Sequence, residues 1–222
     1  YHFRQYCMQS KVILLTSLFL IFVPAAFFFF RDFAGMPVKE RTLCALFQSV
    51  TTRTAGFNTA DLSGMTGASQ AIMIILMMIG GAPGSTAGGM KITTFAVLTA
   101  NASATFRQRE DTQMFGRRVA QEVLKNASTI LMMYLFLVLM GGMVISVAEN
   151  LPISDCLFET ASAVGTVGLT LGITPRLGVL SKGILIALMF LGRVGGLTLV
   201  YAAMPGRKSA HAKMPLEKIN VG

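Results

Sequence analysis

The sequence predicts an all-α polytopic membrane protein with tandem helix–re-entrant loop–helix repeats, four full spans and two short re-entrant helices. The first observation is composition, because 53% of the 222 residues are hydrophobic and only 13% are charged. The second is a pair of almost uncharged stretches, 11–30 and 126–148, each about as long as the roughly 20 residues that cross a bilayer. The third is an internal repeat with a shift of 112 positions.

The internal repeat relates the two halves of the chain. The ungapped shift pairs Gly56 with Gly168 and Gly80 with Gly192, and both halves have the same order of elements. It also pairs Cys44 with Cys156, Thr54 with Thr166, Phe57 with Leu169 and Ser69 with Ser181. We predict an N-terminal repeat over 1–106, a basic connection over 107–125, a C-terminal repeat over 126–204 and a tail over 205–222.

The first helix is predicted over 8–31, where Pro24 suits a kinked membrane helix.

Alternating spans place eleven Lys and Arg residues on one side and five on the other. The positive-inside rule then makes the N-terminal end, the connection 107–125 and the tail cytoplasmic, in a plasma-membrane protein. The connection is expected to be partly an amphipathic helix; it either orients the chain and contacts anionic lipid or docks a partner. No aromatic-interleaved basic face indicates a nucleic-acid partner.

Two predicted helices, over 40–52 and 154–164, are too short to span. The segment from Thr42 to Val50 is nine residues, about 14 Å at the helical rise. The chain must then return in extended form through the loop that follows each helix. Non-helical backbone at membrane depth is tolerated only where protein buries it or where it lines a water-filled cavity. Each loop is therefore either a packed re-entrant hairpin or part of a pore.

Both loops contain a Thr-x-Gly run suited to binding an alkali cation. Backbone carbonyls of such a run can replace the ion's hydration shell, and glycine leaves no side chain between ion and carbonyl. The negative end of each short helix points at the same place. The candidate ligands are Thr54, Ala55, Gly56, Phe57, Thr166, Val167, Gly168 and Leu169. Two packed hairpins without a permeant ion are the alternative.

A break rich in glycine interrupts the second long segment, predicted over 67–106. Helix ends near Ile79, about halfway through a bilayer, and resumes near Met90, so the backbone between them belongs beside water or an ion path. A phosphate-binding loop is excluded because Met90 separates Gly89 from Lys91. The break is either a mobile gate or a static kink of tightly packed small residues. The candidate gate residues are Gly80, Gly81, Gly84, Ser85, Thr86, Ala87, Gly88 and Gly89.

Arg193 interrupts the last apolar segment, predicted as a helix over 177–204. A charge near the centre of a spanning helix costs about 2.5–3.5 kcal/mol on insertion scales, so a functional explanation is the default. The repeat places Arg193 opposite Gly81, and we expect the guanidinium to meet the break at the same depth. It would repel permeating cations, hold the carbonyls of the break, or do both.

Four segments together resemble a known family: TTRTAGFNTADLSG, GGAPGSTAGGMKITT, ASAVGTVGLTLGIT and FLGRVGGLTL. They are similar to the last two repeats of the Ktr-type potassium transporter membrane subunit, within the Trk/Ktr/HKT superfamily. The resemblance implies potassium uptake through a potassium-channel-like pore of four helix–pore loop–helix repeats, of which these are the third and fourth. It makes Gly56 and Gly168 filter glycines, 80–89 an intramembrane gating loop and Arg193 the pore arginine.

The resemblance also implies ions and partners. K⁺ would be the transported ion and Na⁺ a coupling or activating ion in a symport, with no organic cofactor on this chain. Complete subunits would form a homodimer in membrane lipid, on a cytoplasmic ring of nucleotide-binding regulatory subunits. Because four repeats close a pore and the chain starts at Tyr1 with two, we expect two N-terminal repeats to be missing. Pairing of two half-length copies is the alternative.

Catalysis is not expected from the distribution of reactive side chains. No predicted span holds a pair of His, Asp or Glu residues, and Glu159 is the only His or Glu in its short helix. The three cysteines have no metal-ligand spacing. A membrane-embedded enzyme with re-entrant loops and a non-transporting assembly subunit remain the alternatives to a potassium transporter.

Overall fold

The computed structural model describes residues 6–109 and 111–195, which form seven α-helices, one short 3₁₀ helix and a two-stranded hairpin. In chain order these are α1 (Met8–Arg31), α2 (Val38–Thr51), α3 (Gly67–Met78), α4 (Ile92–Phe106), β1 (Gln113–Met114), β2 (Arg117–Arg118), α5 (Gln121–Glu149), α6 (Ile153–Gly165), the 3₁₀ helix (Thr174–Arg176) and α7 (Val179–Val194). The predicted helical architecture is confirmed. The predicted continuation of α7 over 196–204 and the tail 205–222 lie outside the described residues.

Two helices in the described part of the chain, α1 and α5, are long and apolar enough to cross a membrane. They have 24 and 29 residues, or about 36 and 44 Å at 1.5 Å per residue, against a hydrocarbon core of about 30 Å. The helices α3 and α4 are apolar but shorter, because the predicted break separates them. The count of four full spans therefore stays a prediction.

The short helix α6 lies at the centre of the fold, where it packs against α3, α5 and α7. Its end comes very close to α3, since a Cβ added at Gly165 would fall on the carbonyl oxygen of Met77. Small residues at helix contacts are common in membrane bundles because they let backbones approach closely. This contact joins the N-terminal repeat to the C-terminal repeat.

A carboxylate joins the first long helix of the N-terminal repeat to the start of α3. Asp32 follows α1 directly and accepts hydrogen bonds from the N–H of Thr66 (3.0 Å) and the hydroxyl of Ser69. Thr66 is the N-cap of α3, and its own hydroxyl accepts from the N–H of Ser69 (3.4 Å). A carboxylate is favoured there because the first N–H groups of a helix have no partner inside it.

The C-terminal repeat contains the same carboxylate contact. Glu149, the last residue of α5, accepts from the N–H of Gly178 (2.8 Å) and the hydroxyl of Ser181 (2.6 Å) at the start of α7. These two donors lie 112 positions after Thr66 and Ser69. The shift found in the sequence therefore recurs in the hydrogen bonds that hold each pair of helices.

Replacing Asp32 by Asn is expected to destabilise the fold, because the amide keeps the size but loses the charge that two donors face. Hydrogen bonds to charged groups contribute about 1.5–3 kcal/mol each, so we expect the free energy of unfolding to fall by about 2 kcal/mol. The measurement is the melting temperature of the protein in detergent. Asp61→Asn is the matched control, since the exposed Asp61 binds its neighbour Ser63 in a loop. Equal losses in both variants would contradict this role of Asp32.

The basic connection is helical over 121–125, as the prediction of a partly helical segment allows, but 113–118 form a hairpin. Gln113–Met114 and Arg117–Arg118 pair as an antiparallel hairpin, and α5 begins five residues earlier than predicted. Phe115 (φ +50°) and Gly116 (φ +74°) have the positive φ that a type I′ turn requires at both central residues. Because this turn reverses the chain in two residues, it excludes a helix there, and the described fold is not entirely α-helical.

Candidate functional site

The two loops that follow the short helices share one backbone pattern. After α2, Thr54 and Gly56 have φ of +69° and +74°; after α6, Thr166 and Gly168 have φ of +53° and +96°. The two pairs lie 112 positions apart. Positive φ is uncommon for residues other than glycine, and for a β-branched threonine it is an outlier that surrounding contacts must maintain.

These angles correct the prediction of an extended run. Left-handed residues at every second position rotate the peptide groups between them, so neighbouring carbonyl oxygens can face one side instead of alternating as in a strand. A carbonyl-lined cation site needs that arrangement because its oxygens replace the hydration shell together. The loops therefore have a backbone suited to a cation, in a conformation different from the expected one.

Thr51, the buried last residue of α2, holds the first loop. Its carbonyl accepts from the N–H groups of Ala55 (3.2 Å) and Gly56 (3.0 Å), and its hydroxyl donates to the carbonyl of Phe57 (2.7 Å). One residue at the helix end thus binds both sides of the loop. In the sequence, only the threonine-rich run before Gly56 indicates this role of Thr51.

Ser162, which is buried in α6, holds the second loop, although by the shift of 112 it matches Val50, one residue before Thr51. Its carbonyl accepts from the N–H of Val167 (2.9 Å) and its hydroxyl accepts from the N–H of Gly168 (3.1 Å). The N–H of Thr166 donates to the carbonyl of Ala163 (3.0 Å). In both loops, N–H groups turn back onto the end of the short helix.

The two loops lie against each other. A Cβ added at Gly56 would fall on the carbonyl oxygen of Val167, whereas one at Gly168 would meet open space. The residues that follow these glycines differ, because Phe57 is 69% exposed and Leu169 only 2%. The structure therefore brings the two predicted sets of ligands together, but the environments of the two loops are not equivalent.

The predicted break lies between α3 and α4 and is anchored at both ends. The N–H of Gly80 donates to the carbonyl of Met90 (2.8 Å), and the N–H of Met90 donates to the carbonyl of Met78 (3.0 Å). Ile79 and Met90 pair as a parallel bridge, so the chain leaves and returns at one level. The ends are buried and the tip over 83–86 is exposed. The segment is a loop excursion and not a kink in a continuous helix.

Two side-chain cations bind the tip of this loop. Arg193, near the end of α7, donates from Nη1 to the carbonyl of Thr86. Lys91 donates from Nζ to the carbonyls of Ser85 (3.1 Å) and Ala87 (2.8 Å). Three consecutive carbonyls are therefore bound by positive charges. The structure places Arg193 against the break, and its role in an ion path stays a prediction.

Lys91 binds the break but was not among the predicted gate residues, since in the sequence its position only excluded a phosphate-binding loop. A charged residue inside an apolar membrane segment is costly and indicates a special site by default. That rule identified Arg193, and applied to the segment after the break it also identifies Lys91.

The loop over 80–89 also contacts the second Thr-x-Gly loop. The N–H of Gly88 donates to the hydroxyl of Thr166 (3.1 Å). Thr166, Gly168 and Arg193 line a single cavity of about 590 Å³. The predicted ligands of the second loop other than Val167 therefore face the same cavity as Arg193.

Comparison with known proteins identifies relatives over nearly the whole chain. A family model described as TrkH, a cation transport protein, matches residues 2–212. The chain is 34% identical to the Ktr system potassium uptake protein B of Bacillus subtilis (strain 168), over 90% of this chain and 46% of that protein. It is 36% identical to the potassium/sodium uptake protein NtpJ of Enterococcus hirae, over 99% of this chain and 51% of that protein. The chain spans about half the length of these curated relatives.

A solved structure shares the fold. The crystal structure of the potassium transporter TrkH from Vibrio parahaemolyticus matches 89% of this chain and 44% of that one, with a TM-score of 0.72 and 20% identity. The relatives are named as transporters and not as enzymes, and transport across a membrane requires a membrane protein. The resemblance to the Ktr and Trk proteins is confirmed, and the chain belongs to the TrkH family of cation transport proteins.

Proposed function

We propose that this chain is the C-terminal half of the ion-translocating subunit of a potassium uptake transporter. In this proposal the two Thr-x-Gly loops coordinate K⁺ through backbone carbonyls, and the loop over 80–89 gates the path together with Arg193. The observation that carries the proposal is the left-handed backbone at the Thr and Gly of both loops, 112 positions apart, in loops that touch.

Selection of the ion follows from the carbonyl oxygens of the loops. A carbonyl site favours the cation whose hydration shell it replaces best in number and spacing of oxygens. One relative is named for potassium uptake and another for potassium and sodium uptake. We therefore propose K⁺ as the transported ion and Na⁺ as a coupling or activating ion.

The proposed gate uses the two cations that bind the tip of the loop. Positive charges beside an ion path raise the energy of a permeating cation, and the effect is stronger where water is excluded. Opening requires the tip to leave both Lys91 and Arg193. Because Gly88 binds the hydroxyl of Thr166, movement of the loop also changes a contact of the second Thr-x-Gly loop.

Orientation and assembly belong to the same proposal. The excess of Lys and Arg supports a cytoplasmic N-terminal end, connection and tail. Exposed apolar side chains of α1 and α5 suit membrane lipid. We propose a plasma-membrane homodimer of subunits with two further repeats each, on a cytoplasmic ring of nucleotide-binding regulatory subunits. The name of the Bacillus relative, a protein of a Ktr system, is compatible with such additional components.

The test is K⁺ uptake by the protein as its gene encodes it, in a bacterial strain without K⁺ uptake systems of its own. We expect growth at low external K⁺ and K⁺ accumulation that depends on the protein, with a rate that rises on addition of Na⁺. A protein that is folded in the membrane but moves no K⁺, with or without Na⁺, would contradict the proposal. Packed hairpins without a pore would give that result.

A further inference from the structure

A buried carboxylate lies behind the second Thr-x-Gly loop and has no part in the function proposed so far. Glu159 in α6 is only 4% exposed. Its Oε1 accepts from the hydroxyl of Thr170 and the N–H of Leu171 (3.1 Å), and its Oε2 accepts from the hydroxyl of Thr174 (2.7 Å). Both carboxylate oxygens therefore bind one short segment, which starts two residues after Gly168.

The partners of Glu159 are unusual because none of them carries a charge. Glutamate is almost never fully buried unless it is paired. In the part of the chain that the structure describes, the one ion pair joins Arg118 to Asp111, so Glu159 has no cationic partner there. Leaving such a group buried is costly unless hydrogen bonds compensate it. Three hydrogen bonds to a single segment therefore fix that segment relative to α6.

The hydroxyl of Thr170 is directed at this carboxylate. It accepts from the N–H of Gly172 (2.9 Å), which leaves its own proton for Oε1 of Glu159. Glu159 also lines the cavity of about 590 Å³ that Thr166 and Gly168 line. The carboxylate of Glu159 thus holds the segment that follows the second Thr-x-Gly loop. It also faces the same cavity as that loop.

The N-terminal repeat lacks this carboxylate. The position equivalent to Glu159 by the shift of 112 is Phe47, which is 39% exposed. In that repeat the hydroxyl of Thr51 binds the carbonyl of Phe57 instead. The hydrogen-bond network of the carboxylate is therefore a property of the second loop, where Gly168 has open space beside it.

We propose that Glu159 is a positioning residue for ion selection by the second loop. It holds Thr170 and Thr174 so that the carbonyls over 166–169 keep the spacing that favours K⁺, and its negative charge faces the cavity beside them. This inference rests on the proposed potassium transport, because only a transported ion can report the spacing of these carbonyls.

The experiment replaces Glu159 by Gln, which keeps size and buried volume but removes the charge and turns one acceptor into a donor. In the protein as its gene encodes it, we expect the ratio of K⁺ to Na⁺ uptake rates to fall about tenfold, as for the loss of a hydrogen bond to a charged group. A merely structural role would lower both rates equally and leave the ratio unchanged. Asp155→Asn is the matched control, because this carboxylate lies one turn earlier in α6 and binds Ser154.

A second variant keeps the carboxylate and removes its partners. Thr170→Val combined with Thr174→Val retains the shape of both side chains without the hydroxyls. We expect a similar fall in the K⁺ to Na⁺ ratio, and a combined fall smaller than the product of the two when Glu159→Gln is added, because the changes share two of the three hydrogen bonds of the carboxylate. If Glu159→Gln does not fold, this variant still tests whether the contacts of Glu159 affect ion selection.

The outcomes separate the two proposals. An unmodified protein that moves no K⁺ overturns the proposed function. An unmodified protein that selects K⁺, with an unchanged ratio in Glu159→Gln or in the double threonine variant, overturns the role of Glu159 and leaves the proposed function standing. A fall of the same size in Asp155→Asn also overturns it, since loss of any α6 carboxylate would then suffice.

Discussion

Replacing Gly56 by Ala is expected to abolish selective K⁺ uptake, because the added carbon meets the backbone of the other loop. A Cβ at Gly56 would fall on the carbonyl oxygen of Val167, itself a predicted ligand, so the second loop must move. The positive φ of +74° adds a penalty of about 1–2 kcal/mol for any residue with a side chain. Overpacking adds about 1–3 kcal/mol. Serine has the same Cβ and should act in the same direction.

Gly168→Ala is the matched comparison for Gly56→Ala. Its φ of +96° also disfavours a side chain, but nothing lies where the Cβ would be. Only the conformational penalty of about 1–2 kcal/mol then applies, so we expect a fall of about 5- to 30-fold in the K⁺ to Na⁺ uptake ratio, against about 30-fold or more at Gly56. Uptake of both ions is measured at equal amounts of protein in the membrane. Equal effects of the two substitutions would contradict a contact between the loops.

The helices could be predicted from the sequence because the length and hydropathy of a segment, and the internal repeat, do not depend on distant contacts. The long helices α1 and α5 follow from apolar stretches, and the break between α3 and α4 follows from its glycines. The hairpin in the basic connection was not predicted because Phe115 precedes Gly116 in its turn. Phenylalanine is a poor signal for a left-handed residue, whereas Asn or Asp before Gly would have been a strong one.

The sequence predicted which residues form the candidate site, but it did not predict their backbone conformation. The recurrence of Thr-x-Gly located both loops, whereas the left-handed φ of Thr54 and Thr166 contradicts the extended backbone that a β-branched residue prefers. Hydrogen bonds between the loops and Thr51 or Ser162 maintain that conformation, and they depend on how the chain returns onto each helix end. The roles of the predicted ligands and gate residues stay predictions.

Arg193→Ala is expected to raise the rate of K⁺ uptake if the loop over 80–89 obstructs the path. The substitution removes the donor to the carbonyl of Thr86 and a positive charge from the cavity beside the second Thr-x-Gly loop. A hydrogen bond to a charged group contributes about 1.5–3 kcal/mol, so the balance between closed and open loops should shift about tenfold or more. The measurement is the initial rate of K⁺ uptake at equal amounts of protein in the membrane.

Lys91 distinguishes a gate from a purely structural arginine. Because Lys91 holds the carbonyls on either side of Thr86, Lys91→Met should also raise the rate, and the two substitutions together should raise it further than either alone. Arg193→Lys, which keeps the charge on a less rigid donor, should lie between wild type and Arg193→Ala. Arg176→Ala is the control, since that exposed residue ends the 3₁₀ helix outside the loop. Rates that stay equal or fall in folded Arg193→Ala would leave both cations with a role in stability alone, because only a loop that blocks ions can increase flux when it is released.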